Sequence, residues 1–184
     1  MKTSVSDAVA KIRCWHGWMR ERDGMIERWE KTINTELDEY FAGKKSGKES
    51  ILSKRAIVYS LEWLSVGYFS ALYMAGKKFG KHALAERIKG KVKDSNEFLS
   101  KFFMDLGFGK LKVINSEGPR MVYRLEHCST CCKMTPVGKQ VCFFEAGMIA
   151  GVLEAKMGKR VIVQETLCGG LGDECDEFIA RVEE

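Results

Sequence analysis

"VCFFEAGMIAGVLEAKMGKRVIVQETLCGGLGDEC" occupies Val141 to Cys175. Its first half is rich in glycine, alanine and large apolar residues, the pattern of a buried helix. Thr135 and Pro136 supply a start signal for that helix, and Gly158 a stop just after Met157. "KRVIVQE" is β-branched and alternating, so it predicts a strand. "TLCGGLGD" predicts a turn, and "CDEFIARVE" a last strand. Cys142 falls inside the helix, Glu165 at the strand end, Cys168 in the turn and Cys175 at the start of the last strand.

Working outward, "KLKVIN", "SEGP" and "RMVYRLEH" read as strand, turn and strand. "DSNEFLSKFFMDLGFG" reads as a capped amphipathic helix, with Asp94 or Ser95 as N-cap and Phe98, Phe102 and Leu106 facing inward. The first hundred residues are helical in pattern. "MIERWEKTINTELDEYF" spaces its apolar residues at helical intervals. "AIVYSLEWLSVGYFSALYMAG" is apolar on most sides, and Gly67, Ser70, Ala71 and Ala75 would let a second helix approach. The expected fold is α+β, an antiparallel sheet packed with helices. Residues 1–92 form a helical N-terminal region on the same core, and residues 93–184 an α+β region with the chemistry.

The chain has 184 residues, 45% of them apolar, with two prolines and a formal net charge of +5. That suits one ordinary domain and argues against disordered linkers. No stretch reads as a membrane span, and the N-terminus lacks the apolar core of a signal peptide. The expected location is cytoplasmic. The basic residues from Lys77 to Lys93 permit contact with nucleic acid. No DNA-reading motif supports such contact, and a solvated helix face explains the run more simply.

Six of the seven cysteines lie between Cys128 and Cys175. In a reducing compartment such clusters are more often metal ligands or redox centres than disulfides. Cys142, Glu165, Cys168 and Cys175 offer three thiolates and a carboxylate, a donor set that suits zinc. Gly169, Gly170 and Gly172 would let the backbone turn around the ion. Packing of free thiols is the competing reading. The "HCSTCC" stretch places His127, Cys128, Cys131 and Cys132 together. That set can hold part of a second metal site or act as a dithiol switch; reduced thiols with no metal are the simpler alternative. His16 and His82 have no evident partner. Glu145 and Glu154 read as solvent-facing, and Trp15, Trp18, Trp29 and Trp63 as packing of the helical half.

Three segments, "FFMDLGFGKLKVI", "VCFFEAGMIAGVLEAKMGKRVIVQETLC" and "GLGDECDEFIARV", make the region from about Phe98 to Val182 resemble a 4-vinyl-reductase domain. The resemblance implies a fold related to haem-type nitric-oxide sensors and to subunits of the TRAPP vesicle-tethering complex, often dimeric. It implies a zinc ion held by Cys142, Glu165 and Cys168, beside a pocket for small aromatic molecules. The last ligand carries to Cys175, where the loop is one residue shorter than in the family; Asp173 or a water is the substitute. The family name implies reduction of a vinyl group. The chain has no GxGxxG and no flavin fingerprint to hold an electron donor, and no catalytic residue is assigned. The sequence therefore favours a binding module over an enzyme: a zinc-containing sensor or regulatory protein, expected as a homodimer, that takes a hydrophobic small molecule. A thiol-based redox regulator is the alternative, ahead of a vinyl reductase.

Overall fold

Strict alternation along three strands sets the inner face of the sheet. The computed structural model describes residues 57–58, 61, 67–88 and 94–183. In chain order these form α1 (Tyr68–Ile88), α2 (Ser95–Asp105), β1 (Lys110–Asn115), β2 (Arg120–Glu126), α3 (Phe143–Met157), β3 (Val161–Leu167), a 3-10 turn (Gly169–Leu171) and β4 (Asp176–Val182). All belong to one unit, Gly47–Glu184. The four strands make an antiparallel sheet in the order β1-β2-β4-β3. The two strand pairs read from the sequence are thus one sheet, joined where β2 meets β4 with Tyr123 opposite Phe178.

The buried positions run Met121, Tyr123, Leu125 on β2, Val161, Val163, Glu165 on β3, and Asp176, Phe178, Ala180 on β4. Side chains two apart share a face. The apolar stripes of β3 and β4 therefore each end in an inward-facing carboxylate, Glu165 and Asp176. Tyr123 is fully buried, and its hydroxyl donates to Asn96 Oδ1 at 2.9 Å, tying α2 to the sheet.

α3 is buried from Glu145 through Leu153 without a break, between α1 and the sheet. Its contact with α1 is backbone on backbone. A Cβ on Gly147 would stand 2.1 Å from the Tyr73 carbonyl oxygen, and one on Gly151 2.0 Å from that of Lys77. From the other side, a Cβ on Gly76 or Gly80 would stand 2.1 or 2.4 Å from the carbonyls of Phe144 or Met148. Only glycine permits this approach. The small residues expected to do so, Gly67, Ser70, Ala71 and Ala75, are exposed instead. The periodicity pointed to the right helix and the wrong face of it.

β3 is an edge strand, and α1 covers it. The Val163 N–H donates to the Tyr73 hydroxyl at 3.1 Å. Glu154 closes the same corner, accepting from Val161 N at 2.9 Å and pairing with Lys77 at 2.7 Å.

Two element boundaries differ from the sequence reading. α3 starts at Phe143, not near Thr135, and Cys142 is its N-cap. The Val137 and Gly138 N–H groups both donate to the Gly170 carbonyl, and Gly138 has φ 80°. The segment is spent on pairing with the glycine turn and cannot wind. On α2, Asp94 caps Asn96 N as expected, but the buried face is Leu99, Phe102 and Phe103; Phe98 is half-buried and Leu106 exposed. The helix end turns away from the core after Phe103, where Phe108 N returns to the Phe103 carbonyl.

Among the described residues no helix is long and apolar enough to cross a membrane. The helix expected over 25–41, the four tryptophans, His16 and the basic residues Lys89, Lys91 and Lys93 lie outside the described residues.

Candidate metal centre

Three chain segments converge at the end of the sheet where β3 stops and β4 begins. The first is the loop after β2. His127 adopts φ 56°, which turns the chain at the strand end. Cys132 N then donates to the Cys128 carbonyl and Met134 N to that of Cys131, curling 128–134 into a tight bend. The second is the N-terminus of α3 at Cys142. The third is the glycine turn after β3. Cys168 caps it, its Sγ accepting from Gly170 N at 3.3 Å, while Asp173 Oδ2 accepts from Cys168 N at 2.8 Å. Gly169 lets this turn lie on the first loop, since a Cβ there would stand 2.5 Å from the Cys131 carbonyl oxygen.

Two four-donor groups result. Cys128, Cys131, Cys142 and Asp176 form one; Cys142, Glu165, Cys168 and Asp176 form the other. Within each group the donor atoms lie within 4.8 Å of one another, and every member is buried. Cys128 Sγ is 3.6 Å from Cys142 Sγ. Cys131 Sγ donates to Asp176 Oδ1 at 2.8 Å, and Cys142 Sγ approaches Asp176 Oδ2 at 3.5 Å. Glu165 Oε2 accepts from Cys142 N at 3.2 Å. Its other oxygen, Oε1, is buried with no hydrogen-bond partner.

The electrostatics are those of a site built for a cation. Burial, then the charge of Cys168, pushes the Glu165 carboxyl up to about 11. Burial, then Cys128, pushes Asp176 up to about 9. Burial and hydrogen bonds within the cluster also push Cys142 up. Hydrogen bonds from Cys131 and Cys142 pull Cys168 down, against its burial. Acids can share protons in this way, but they cannot all ionise without a positive charge. None of the ion pairs among the described residues reaches the cluster. Thiolates and carboxylates at these separations can hold a metal ion, and the orphaned Glu165 oxygen is the kind of acceptor a metal satisfies.

The structure brings Cys142, Glu165 and Cys168 together, as the residue pattern anticipates. Cys175 is half-buried and belongs to neither group. Asp176, one residue later, stands in the second group. Asp173 caps the turn instead of joining the donors. The signal for Asp176 was the parity of the last strand, since Asp176, Phe178 and Ala180 share one face. The "HCSTCC" stretch divides. Cys128 and Cys131 enter the same cluster as Cys142, while His127 is exposed and Cys132 half-buried, both outside the two groups. Glu145, expected at the surface, is 1% exposed and accepts from Thr130 Oγ1. Burial and the neighbouring Cys128 push its carboxyl up to about 8. It stands one turn of α3 beyond Cys142, and the all-round burial of that helix was its signal. His82 is exposed.

A cavity of about 360 Å³ opens beside the cluster, between α1, α3 and β3. Phe69, Tyr73, Phe143, Ala146 and Val163 line it, and Glu165 forms part of its wall.

The family model of the 4-vinyl-reductase domain matches residues 121–182, which include all six donors. The chain is 34% identical over 121 residues to the uncharacterized protein MJ0150 of Methanocaldococcus jannaschii, covering 64% of this chain and 67% of that protein. It spans 63% and 55% of two further curated relatives from the same organism. Among solved structures, a trafficking protein particle complex subunit 3 from Naegleria fowleri, covalently bound to palmitic acid, superposes with a TM-score of 0.57 at 19% identity, covering 74% of this chain and 95% of that one. The phenol-responsive sensory domain of the transcription activator PoxR, with phenol, superposes at 0.54 with 14% identity, covering 73% of each chain. At these identities the two structures share the fold, the TRAPP-subunit-like arrangement the resemblance implies. The matched domain and the relative covered over two thirds of its length show that the chain belongs to the 4-vinyl-reductase domain family.

Proposed function

We infer that this protein is a zinc-containing sensor or regulatory domain that binds a hydrophobic small molecule next to its metal. One observation carries the reading. Glu165 lines the apolar cavity and is also a member of the buried donor group. A ligand entering the cavity would touch a metal ligand, so binding and metal geometry would be coupled. The cavity's size falls in the range typical of small-molecule sites, roughly 300–1,000 Å³. Zinc fits the donor set because it accepts sulfur and oxygen in a tetrahedron and has no redox chemistry of its own. With four protein ligands the ion is structural and leaves no open position for catalysis.

The solved relatives in fold hold phenol in one case and palmitic acid in the other, which supports testing these two probes first. The zinc-loaded full chain should bind phenol or palmitate in isothermal titration. Ala146→Phe, which fills the cavity wall, should weaken that binding at least tenfold while zinc content stays unchanged. Failure of both probes to bind, or binding unaffected by Ala146→Phe, would overturn the pocket assignment; wild-type protein without zinc would overturn the metal assignment.

Thiol-based regulation is the second reading. It is favoured by the closeness of Cys128 and Cys142, and its test is given in the Discussion.

A further inference from the structure

We propose that the cluster holds two divalent metal ions, with Cys142 and Asp176 shared between them. The proposal rests on the metal reading above and deepens it. The two donor groups are not alternatives laid side by side: they overlap in two residues, and each is complete as a four-donor set. Cys128 and Cys131 belong to one ion, Glu165 and Cys168 to the other. Cys142 supplies a bridging thiolate.

Asp176 is placed to bridge. Its Oδ1 faces Cys131 at 2.8 Å, and its Oδ2 faces Cys142 at 3.5 Å. A carboxylate with its two oxygens turned to different donors can serve two ions at once. Gly169 N–H holds the carboxylate in place by donating to Oδ1 at 3.2 Å.

Charge decides between one ion and two. The six donors are each at most 3% exposed. Four thiolates and two carboxylates carry six negative charges when fully ionised. One divalent ion engages four donors and leaves two buried acids without a cation, a costly arrangement in a low-dielectric interior. A second ion takes up both. Spacing agrees. Sulfurs about 2.3 Å from a tetrahedral zinc stand about 3.8 Å apart, and Cys128 and Cys142 are separated by 3.6 Å. The unpartnered Glu165 Oε1 marks the second ion's side. A void of about 10 Å³ touching Cys128, Cys131 and Asp176 marks the first, space for about one water or ion.

The test is metal stoichiometry on the full chain. Protein saturated with zinc and freed of excess by gel filtration should carry two zinc ions per chain by elemental analysis and native mass spectrometry. The Cys128→Ser/Cys131→Ser double variant should keep one. One ion per wild-type chain would overturn the proposal and leave the metal reading standing; none would overturn both. Two ions retained by the double variant would place the second ion elsewhere and also overturn it. Cobalt loading of wild-type protein gives a readout that needs no variant. Ions sharing a thiolate couple magnetically, so the two-cobalt form should give at least a twofold weaker electron paramagnetic signal per cobalt than the one-cobalt form. An equal signal per ion would count against a shared bridge.

Discussion

The sulfur of Cys128 lies 3.6 Å from that of Cys142, fourteen residues on, with both thiols buried. In metal-free protein that pair should be the first to oxidise. Diamide takes two electrons and two protons from the thiols, and the sulfurs then bond. Peptide mapping should show a Cys128–Cys142 crosslink that dithiothreitol reverses. Zinc-loaded protein should resist, because both thiolates are engaged. A dominant Cys168–Cys175 or Cys131–Cys132 crosslink would contradict this ordering and the geometry behind it.

Removing the metal should loosen the three segments that meet at the site. Metal binding adds to folding free energy wherever the ligands come from distant parts of the chain. At a free zinc concentration about a hundredfold above its dissociation constant, the added stability is about 2.7 kcal/mol. EDTA should therefore lower the melting temperature of the wild type by several degrees. Cys142→Ser should be insensitive to EDTA and already destabilised. Equal melting curves with and without chelator would remove the structural role of the ion.

The α1–α3 crossing should be intolerant of any side chain. Gly151→Ala puts a methyl 2.0 Å from the Lys77 carbonyl oxygen, where only backbone movement relieves it. A loss of about 1–3 kcal/mol in urea unfolding is expected from such overpacking. Gly118→Ala is the comparison, since nothing lies within 4 Å of its added Cβ and its φ of 77° is the only cost. The clash predicts the larger loss at Gly151.

Glu154 should make a small acid-sensitive contribution. Burial opposes its ionisation, but the hydrogen bonds from Lys77 and the Val161 N–H outweigh it and hold the carboxyl below its ordinary 4.5. A group whose pKa is depressed by folding stabilises the protein above its unfolded pKa. The contribution is present above about pH 4.5 and is lost as pH falls through the folded value. Glu154→Gln should flatten this part of the stability curve, measured by thermal melts between about pH 3 and 6. Parallel curves for the variant and the wild type would show the pair to be neutral.

Much of this architecture was legible in the chain. β1, its turn and β2 follow directly from "KLKVINSEGPRMVYRLE", because alternation and a glycine-proline turn are local signals. Asp94 as a cap, Gly158 as a stop in the left-handed region, and Cys142, Glu165 and Cys168 as one constellation were equally visible. The start of α3 was not. Thr135 and Pro136 carry a genuine helix signal, and the bonds of Val137 and Gly138 to Gly170, far along the chain, override it. The same limit applied to the close helix contact. Gly76, Gly80, Gly147 and Gly151 were in plain view, but which glycines face a neighbour depends on how α1 and α3 cross.

The sequence by itself determined the elements, the buried character of α3 and the family of donors, since periodicity, turn chemistry and residue type are local properties. Tertiary structure alone decided the membership of the site. It joined the two hairpins through β2 and β4, and so brought Asp176 beside the loop that follows β2. It folded Cys128 and Cys131 onto Cys142 and left Cys175 and His127 outside both donor groups. Which thiols share an ion is a matter of ångströms between atoms far apart in the chain. Those distances are fixed by strand register and glycine-permitted packing, which no stretch of residues carries on its own.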